Sequence, residues 1–317
     1  MHYLGNTDLY VSELCFGTLT MTPFQANLSI NEGARLLIHA AERGVNFFDT
    51  AEIYDNYAYL RELLKVVDRS QVVIASKCYA YDEKTATESL EKALEGLGTD
   101  YIDLFMLHEQ ESKYTLKGHH EALETFCKFK KAGYIRSIGV STHFIACAQA
   151  ITKYPEIQVI HPIYNQKGIG IQDGSVEEMT DTLENLHSNG IGIYSMKALG
   201  GGHLQQDALE SIKWVMEKDF IDSIAVGMQS IEEVDYNIDL ILNRKENMDA
   251  YEKIHKKKRR LIVADYCIGC GNCVKRCKQD AIHVVNGKAV PNDACILCGY
   301  CATVCPEFCI KVIWCGF

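Results

Sequence analysis

No stretch of this 317-residue chain approaches the roughly 18 consecutive apolar residues that a membrane-spanning helix requires, so no such span is expected. Met1 opens no charged, apolar and small-residue leader, which points to a reducing, cytoplasmic setting and away from disulfides. The formal net charge is −10 and the larger part of the chain has no basic face, which argues against nucleic acid as a partner. Nor does a glycine fingerprint follow the first apolar run. Phe16-Gly17-Thr18-Leu19 is not one, which disfavours a doubly wound sheet. No flavin fingerprint is present either. What remains is an ordinary globular composition, 47% apolar and 23% charged, with length for about two domains.

Cysteine is the opposite case. Of fourteen, eight form one pattern written twice. Cys267, Cys270, Cys273 and Cys277 read C-x2-C-x2-C-x3-C, and Cys295, Cys298, Cys301 and Cys305 repeat it before Pro306. Soft thiolates are what iron and sulfide prefer, and at this spacing three wrap one cubane while the fourth turns toward a neighbour. Zinc would be satisfied by four cysteines in paired C-x2-C motifs and would not need a third at that spacing. The run resembles a bacterial-type two-cluster ferredoxin over Asp265 to Ile313, and Lys278 stands where Pro306 stands in the second half. The resemblance implies two 4Fe–4S clusters, one held by Cys267, Cys270, Cys273 and Cys305, the other by Cys295, Cys298, Cys301 and Cys277. Among the remaining cysteines, Cys309 occupies the repeat position of Ala281 and reads as a small packed residue beside a cluster. Cys15, Cys127 and Cys147 read as small hydrophobes, and Cys315 has no assigned role.

Charge divides unevenly: residues 251–317 balance to +6 and the rest to −16. The run Lys256-Lys257-Lys258-Arg259-Arg260 marks the junction between a first domain, 1–250, and a second, 251–317. Its plain reading is a solvated linker or helix face; docking of an acidic electron carrier is the sharper one.

After an N-terminal hairpin-like segment, short apolar β-type runs begin at Leu14, Val45, Val72, Tyr101, Ile135, Val159, Ile191 and Ser223, with amphipathic helical stretches between. Eight such strands in about 240 residues have the rhythm of a (β/α)8 barrel, an α/β fold, followed here by a small α+β ferredoxin-like domain. Chemistry in such barrels sits at the C-terminal strand ends. Those ends carry Asp49, with Tyr54 five residues on, then Lys77 and His108; alternation turns Cys78 away from the site. A phenol near pKa 10 is a poor acid unless a lysine beside it stabilises the phenolate and a carboxylate orients that lysine. A histidine can hydrogen-bond a carbonyl oxygen as negative charge develops on it.

The segments FFDTAEIYDN, VVIASK and YIDLFMLHE resemble the tetrad motifs of the aldo-keto reductases, within a likeness running from HYLGNTDLYVSELCFGT to SIEEVDYN. By that resemblance Tyr54 is the proton donor and Asp49, Lys77 and His108 complete the tetrad. It also implies an NAD(P) site formed by Gly17, Thr18, Ser141, Thr142, His161, Met196, Lys197, Leu199, Gly227, Ser230 and Asn237. Three departures mark that side: Thr142 replaces an Asn, His161 a Gln, and Met196 the nicotinamide-stacking Tyr. Lys197 with Gly200–Gly202 would serve the pyrophosphate. Ser230 with Glu233 reads as a capping box, and Gln229 and Glu233 offer no cation for a 2′-phosphate. The expected activity is reduction of a carbonyl, or oxidation of an alcohol, with the clusters exchanging electrons with ferredoxin-like carriers. A nicotinamide-independent, cluster-driven reductase and a non-catalytic redox-sensing or partner-binding protein are the alternatives.

Overall fold

The computed structural model describes residues 1–256 and 259–314; Lys257 and Lys258 of the basic run, and Cys315, lie outside the described residues. Two short strands, β1 (His2–Tyr3) and β2 (Tyr10–Val11), pair antiparallel. Then come β3 (Leu14–Gly17), β4 (Phe47–Asp49), β5 (Val73–Cys78), β6 (Ile102–Leu107), β7 (Ile135–Thr142), β8 (Val159–Pro162), β9 (Gly192–Ser195) and β10 (Ser223–Gly227). These eight pair in parallel and close on themselves, β10 joining both β9 and β3. The expected (β/α)8 barrel is thus the fold, each strand falling in one of the apolar runs.

The helices between them are α1 (Ile30–Glu42), α2 (Tyr57–Leu64), α3 (Glu83–Leu97), α4 (Lys113–Gly118), α5 (His120–Ala132), α6 (Ile145–Ala150), α7 (Val176–Ser188), α8 (Ala208–Met216) and α9 (Ile231–Ile241). Their limits are written locally. Asp82 accepts from the Thr85 amide to start α3, and Gly98, at φ 69°, ends it. Along α3, Ala86, Leu90, Ala93 and Leu97 recur on one face and are buried against the barrel. The hairpin β1–β2 covers the N-terminal end of the barrel, where Leu4, Leu9 and Val11 pack with Cys15, Phe47, Val73, Leu104 and Met106. A fully buried leucine is worth about 1.5–3 kcal/mol, so this floor closes firmly and leaves the opposite mouth for chemistry.

A helix α10 (Met248–Lys256) follows and sets Ala250 and Ile254 into the barrel's core. The expected boundary at residue 250 falls inside it. Beyond lies a small module in which β11 (Arg259–Val263) pairs with β14 (Ile310–Trp314), and β12 (Ile282–Val285) with β13 (Lys288–Pro291). Helix α11 (Asn272–Arg276) carries the end of the first cysteine run, and a single 3-10 turn, Ala302–Val304, carries the second. The sequence repeat is a backbone repeat as well. Left-handed conformations recur at Gly269 and Leu297 (φ 65° and 56°), at Gly271 and Gly299 (both 76°), and at Asp280 and Phe308 (48° and 52°).

Gly5 has φ 54°, and a Cβ there would collide with the backbone of Gly192. Gly5→Ala should therefore lower stability by roughly 1–3 kcal/mol through strain and overpacking. A denaturant midpoint unchanged from the parent would show that the floor is not fitted this closely.

Candidate active site and cysteine cavities

Three staves deliver the tetrad to the mouth. Asp49 ends β4, Lys77 lies near the end of β5, and His108 follows β6. Tyr54 closes a short 3-10 turn after β4 that stops at Asp55 in the left-handed region (φ 48°). Lys77 donates to the Asp49 carboxylate at 2.6 Å and to the Thr50 carbonyl at 2.7 Å. Its ammonium lies 5.3 Å from the centre of the Tyr54 ring, which meets His108 edge-on at 5.9 Å. The structure brings all four together.

Several partners escaped the sequence reading. Tyr194, from β9 across the barrel, donates to Asp49 at 2.9 Å. Asn56 ties Thr50 and Thr18 together at 2.5 and 2.8 Å, fixing the turn that bears Tyr54. Tyr79 stacks on His108 with centroids 4.8 Å apart and donates to Glu109. Tyr194 with Asp49, Tyr79 with His108 and Asn56 with Thr18 have no signal by spacing alone, because each pair acts across staves that only the barrel makes neighbours.

Burial dominates the electrostatics. It raises the Tyr54 pKa well above the usual phenol value, with Asp49, Glu109 and Tyr79 adding to the rise. The expected lowering by Lys77 is therefore not the outcome here: the phenol is held protonated, the state a proton donor needs. His108 is pushed well below the usual imidazole value by burial, then by Lys77, so its ring is neutral. Its buried Nδ1 has no partner among the described residues.

On the side implied for a dinucleotide, many groups are already engaged. The Ser141 hydroxyl accepts from the Glu109 amide at 2.8 Å. Thr142 donates to the Gln110 carbonyl at 2.6 Å and accepts from the Phe144 amide at 2.9 Å. Thr18 donates to the Asp49 carbonyl at 2.8 Å, and Asn237 donates back to Glu233 in its own helix at 2.8 Å. His161 donates from Nδ1 to the Tyr194 carbonyl at 2.7 Å and stacks on that ring at 3.9 Å. Lys197 meets His143 at 2.9 Å, and burial and Lys311 bring its pKa down to about 8. Gly17 ends β3 beside Gly227, which is exposed at the end of β10, while Met196 and Leu199 are partly buried along the loop after β9. Ser230 caps α9 by accepting from the Glu233 amide at 3.3 Å, but the Glu233 carboxylate accepts from Gln229 at 2.7 Å. The capping box is thus only half formed. Several of the side chains that the resemblance implies for a nicotinamide dinucleotide therefore already hold partners within the chain.

The cysteines fall into two cavities. One is lined by Cys267, Cys270, Cys273 and Cys305, with Cys309 beside them. The other is lined by Cys277, Cys295, Cys298 and Cys301. Backbone amides point at sulfur in each: Ala289 to Cys267 and Ala281 to Cys277, both at 3.4 Å. Among the described residues no three His, Cys, Asp or Glu converge on a point that would suit a single ion. Thiolate sets spread around a cavity, with amides aimed at sulfur, fit a cluster.

A parallel barrel with a protonated phenol, a lysine and a neutral imidazole at its mouth, joined to a cysteine-lined module, defines an oxidoreductase. Residues 13–211 match the Aldo/keto reductase family and residues 259–306 match the 4Fe-4S dicluster domain. The chain belongs to the aldo/keto reductase family and carries a C-terminal iron–sulfur domain. It is 24% identical over 276 residues to an L-galactose dehydrogenase of Arabidopsis thaliana, covering 74% of this chain and 86% of that one. It is 27% identical over 205 residues to a methylglyoxal reductase of Yersinia pestis, covering 61% and 73%. A putative aldo-keto reductase from Pseudomonas aeruginosa shares the fold at TM-score 0.65 and 24% identity, covering 76% of this chain and 94% of that one. The holo form of an aldo-keto reductase from Bacillus halodurans does so at 0.63 and 21%, covering 80% and 95%. Among the described residues no helix is long and apolar enough to cross a membrane.

Burial holds the His161 pKa at about 4 in the fold, against about 6.5 unfolded. The unfolded chain binds the proton first, so stability present above about pH 6.5 is lost as pH falls toward 4, by on the order of 3 kcal/mol. His161→Gln should flatten the decline of Tm across that interval. An equally steep decline in the variant would rule out His161 as a source of the acid sensitivity.

Proposed function

We propose that this protein interconverts a carbonyl and an alcohol at Tyr54, with two 4Fe–4S clusters relaying electrons between ferredoxin-like carriers and the barrel. The observation that supports it best is a protonated Tyr54 held beside the Lys77–Asp49 pair and the neutral His108. A small carbonyl substrate would place its oxygen against the Tyr54 hydroxyl and an N–H of His108. As negative charge develops on that oxygen, both hydrogen bonds strengthen and Tyr54 passes its proton to oxygen, leaving a phenolate that the Lys77 ammonium stabilises and solvent reprotonates. Two electrons, one from each cluster when bound, and a second proton from solvent, taken up at the carbonyl carbon, would complete the alcohol. Asp49 orients Lys77, and Tyr194 and the Thr50 carbonyl hold that pair in place. A protein that only sensed redox state would have no use for this buried array, which is expensive to desolvate. No step through a nicotinamide is derived, because several of the groups implied for it, Ser141, Thr142 and Lys197 among them, already hold partners within the chain.

For the clusters, the cavity grouping supports Cys267, Cys270, Cys273 and Cys305 as one ligand set and Cys277, Cys295, Cys298 and Cys301 as the other. Each cluster, when bound, supplies or accepts one electron. Arg276 lies over the Tyr300 ring at 5.0 Å beside the second cavity, and with Lys278 it offers a basic rim to an acidic carrier.

Tyr54→Phe should lower carbonyl turnover by about 10²–10⁴-fold while leaving the visible spectrum of the clusters unchanged. Full turnover by the variant would remove Tyr54 from the mechanism. Protein purified without oxygen should carry about eight iron and eight sulfide per chain. Cys309→Ala should keep that content and Cys305→Ala should impair one cluster; a preparation holding zinc and no sulfide would defeat the ligand assignment.

A further inference from the structure

The turn after Cys305 is pressed into the barrel. Phe308 drives its ring between two loops, where a Cβ at either Gly170 or Gly201 would lie 2.7 Å from it. The ring stacks on His203 with centroids 5.2 Å apart and planes 12° from parallel. The Lys197 ammonium lies 4.8 Å from its centre. Lys311 donates to the Gly201 carbonyl at 3.3 Å, and Gln205 donates to the Val312 carbonyl at 3.3 Å. Lys197, Gly201, His203 and Gln205 all belong to the loop after β9, which includes the strip expected to receive a pyrophosphate. Gly200, Gly201 and Gly202 all have positive φ, a conformation that lets another group approach the backbone closely. The group that approaches is a phenyl ring of this chain.

The module is shaped for the contact. In the backbone repeat, Phe308 stands where Asp280 stands in the first half, both left-handed. Aspartate tolerates that conformation, but a bulky ring in it is an outlier that persists only where surrounding structure holds it. Here the barrel loops hold it. The charges agree with the same reading. Lys311 is partly buried, and its desolvation lowers its pKa while the neighbouring thiols of Cys305 and Cys309 act the other way. Lys197 and Lys311 are thus both drawn into the contact between this turn and the loop after β9. The cations that could have neutralised a pyrophosphate are engaged instead with the Phe308 ring and His143, for Lys197, and with the Gly201 carbonyl, for Lys311.

We propose that the Cys305–Lys311 turn is a resident plug of the dinucleotide strip, in which Phe308 and Lys311 take the place of the pyrophosphate, so that the assembled chain does not bind NAD(P) there. The proposal deepens the cluster-linked reading above and rests on it only for the identity of the mouth. Titration calorimetry of the full, cluster-loaded chain with NADH and with NADPH tests it. The parent should show no binding up to about 1 mM, and Phe308→Ala combined with Lys311→Ala should bind at least about tenfold more tightly. Phe308→Asn, which keeps a residue tolerant of the left-handed turn while removing the ring, serves as a second opened variant. Iron content confirms that the module stays folded in each. Micromolar binding by the parent overturns the plug. So does a failure of both opened, cluster-loaded variants to bind, which would move the exclusion to the barrel's own Ser141, Thr142 and His161. Binding is read without turnover, so an error in the role of Tyr54 would alter the Tyr54→Phe kinetics and leave this result untouched.

Discussion

An ammonium and a carboxylate meet at 2.6 Å inside the barrel, both almost wholly out of water. Such a pair is costly to desolvate, and removing either partner alone typically costs about 3–5 kcal/mol because the other is left charged and unpaired. Lys77 and Asp49 are kept together by groups from around the ring: the Thr50 carbonyl, the Tyr194 hydroxyl, and behind them Asn56 and Thr18. The site therefore needs the closed barrel, since β4, β5 and β9 must all present their ends to one point. Closure in turn depends on the floor, where the β1–β2 hairpin seals the other end.

The same dry interior sets the protonation states. Tyr54 is kept protonated and His108 neutral by burial before any neighbouring charge is counted. His143 and His161 are likewise held low, at about 3 and about 4, with burial the largest cause in each. Several imidazoles can therefore sit near Lys77 and Lys197 without adding positive charge at neutral pH. The proposed reaction, in which an oxygen gains electrons at this mouth, suits such a lining, and sensitivity to acid is a cost of the same arrangement.

The iron–sulfur module is bound to this chemistry by geometry. Its first cavity lies one short turn from the loop after β9, while the second opens on a rim that includes Arg276 and Tyr300. The pseudo-symmetric halves have the same backbone turns and different surfaces. One half ends in Asp280, which is exposed, the other in Phe308, which packs against the barrel loops. The repeat yields two cysteine-lined cavities of different size, and a single ring at one of the two turns sets the first against the barrel loop.

The sequence by itself determined the architecture and most of the candidate site. Apolar runs at regular intervals specify eight buried strands, strand ends place Asp49, Lys77 and His108 on one rim, and cysteine spacing groups eight thiols in two sets, because each of these is a local or periodic property of the chain. It also determined that Cys78 turns away from the site, since strand side chains alternate. What only the tertiary structure decided involves groups far apart in the chain. Tyr194 reaches Asp49 across the barrel, and Ser141 and Thr142 spend their hydroxyls on loop backbone. Burial outweighs Lys77 in setting the state of Tyr54, and Glu233 turns to Gln229 and leaves half a capping box. Above all, the docking of Phe308 beside Lys197 and Gly201 depends on how two separately readable units fit together. Packing between distant segments is set by shape and desolvation at their contact, and neither is written in the spacing of residues along either one.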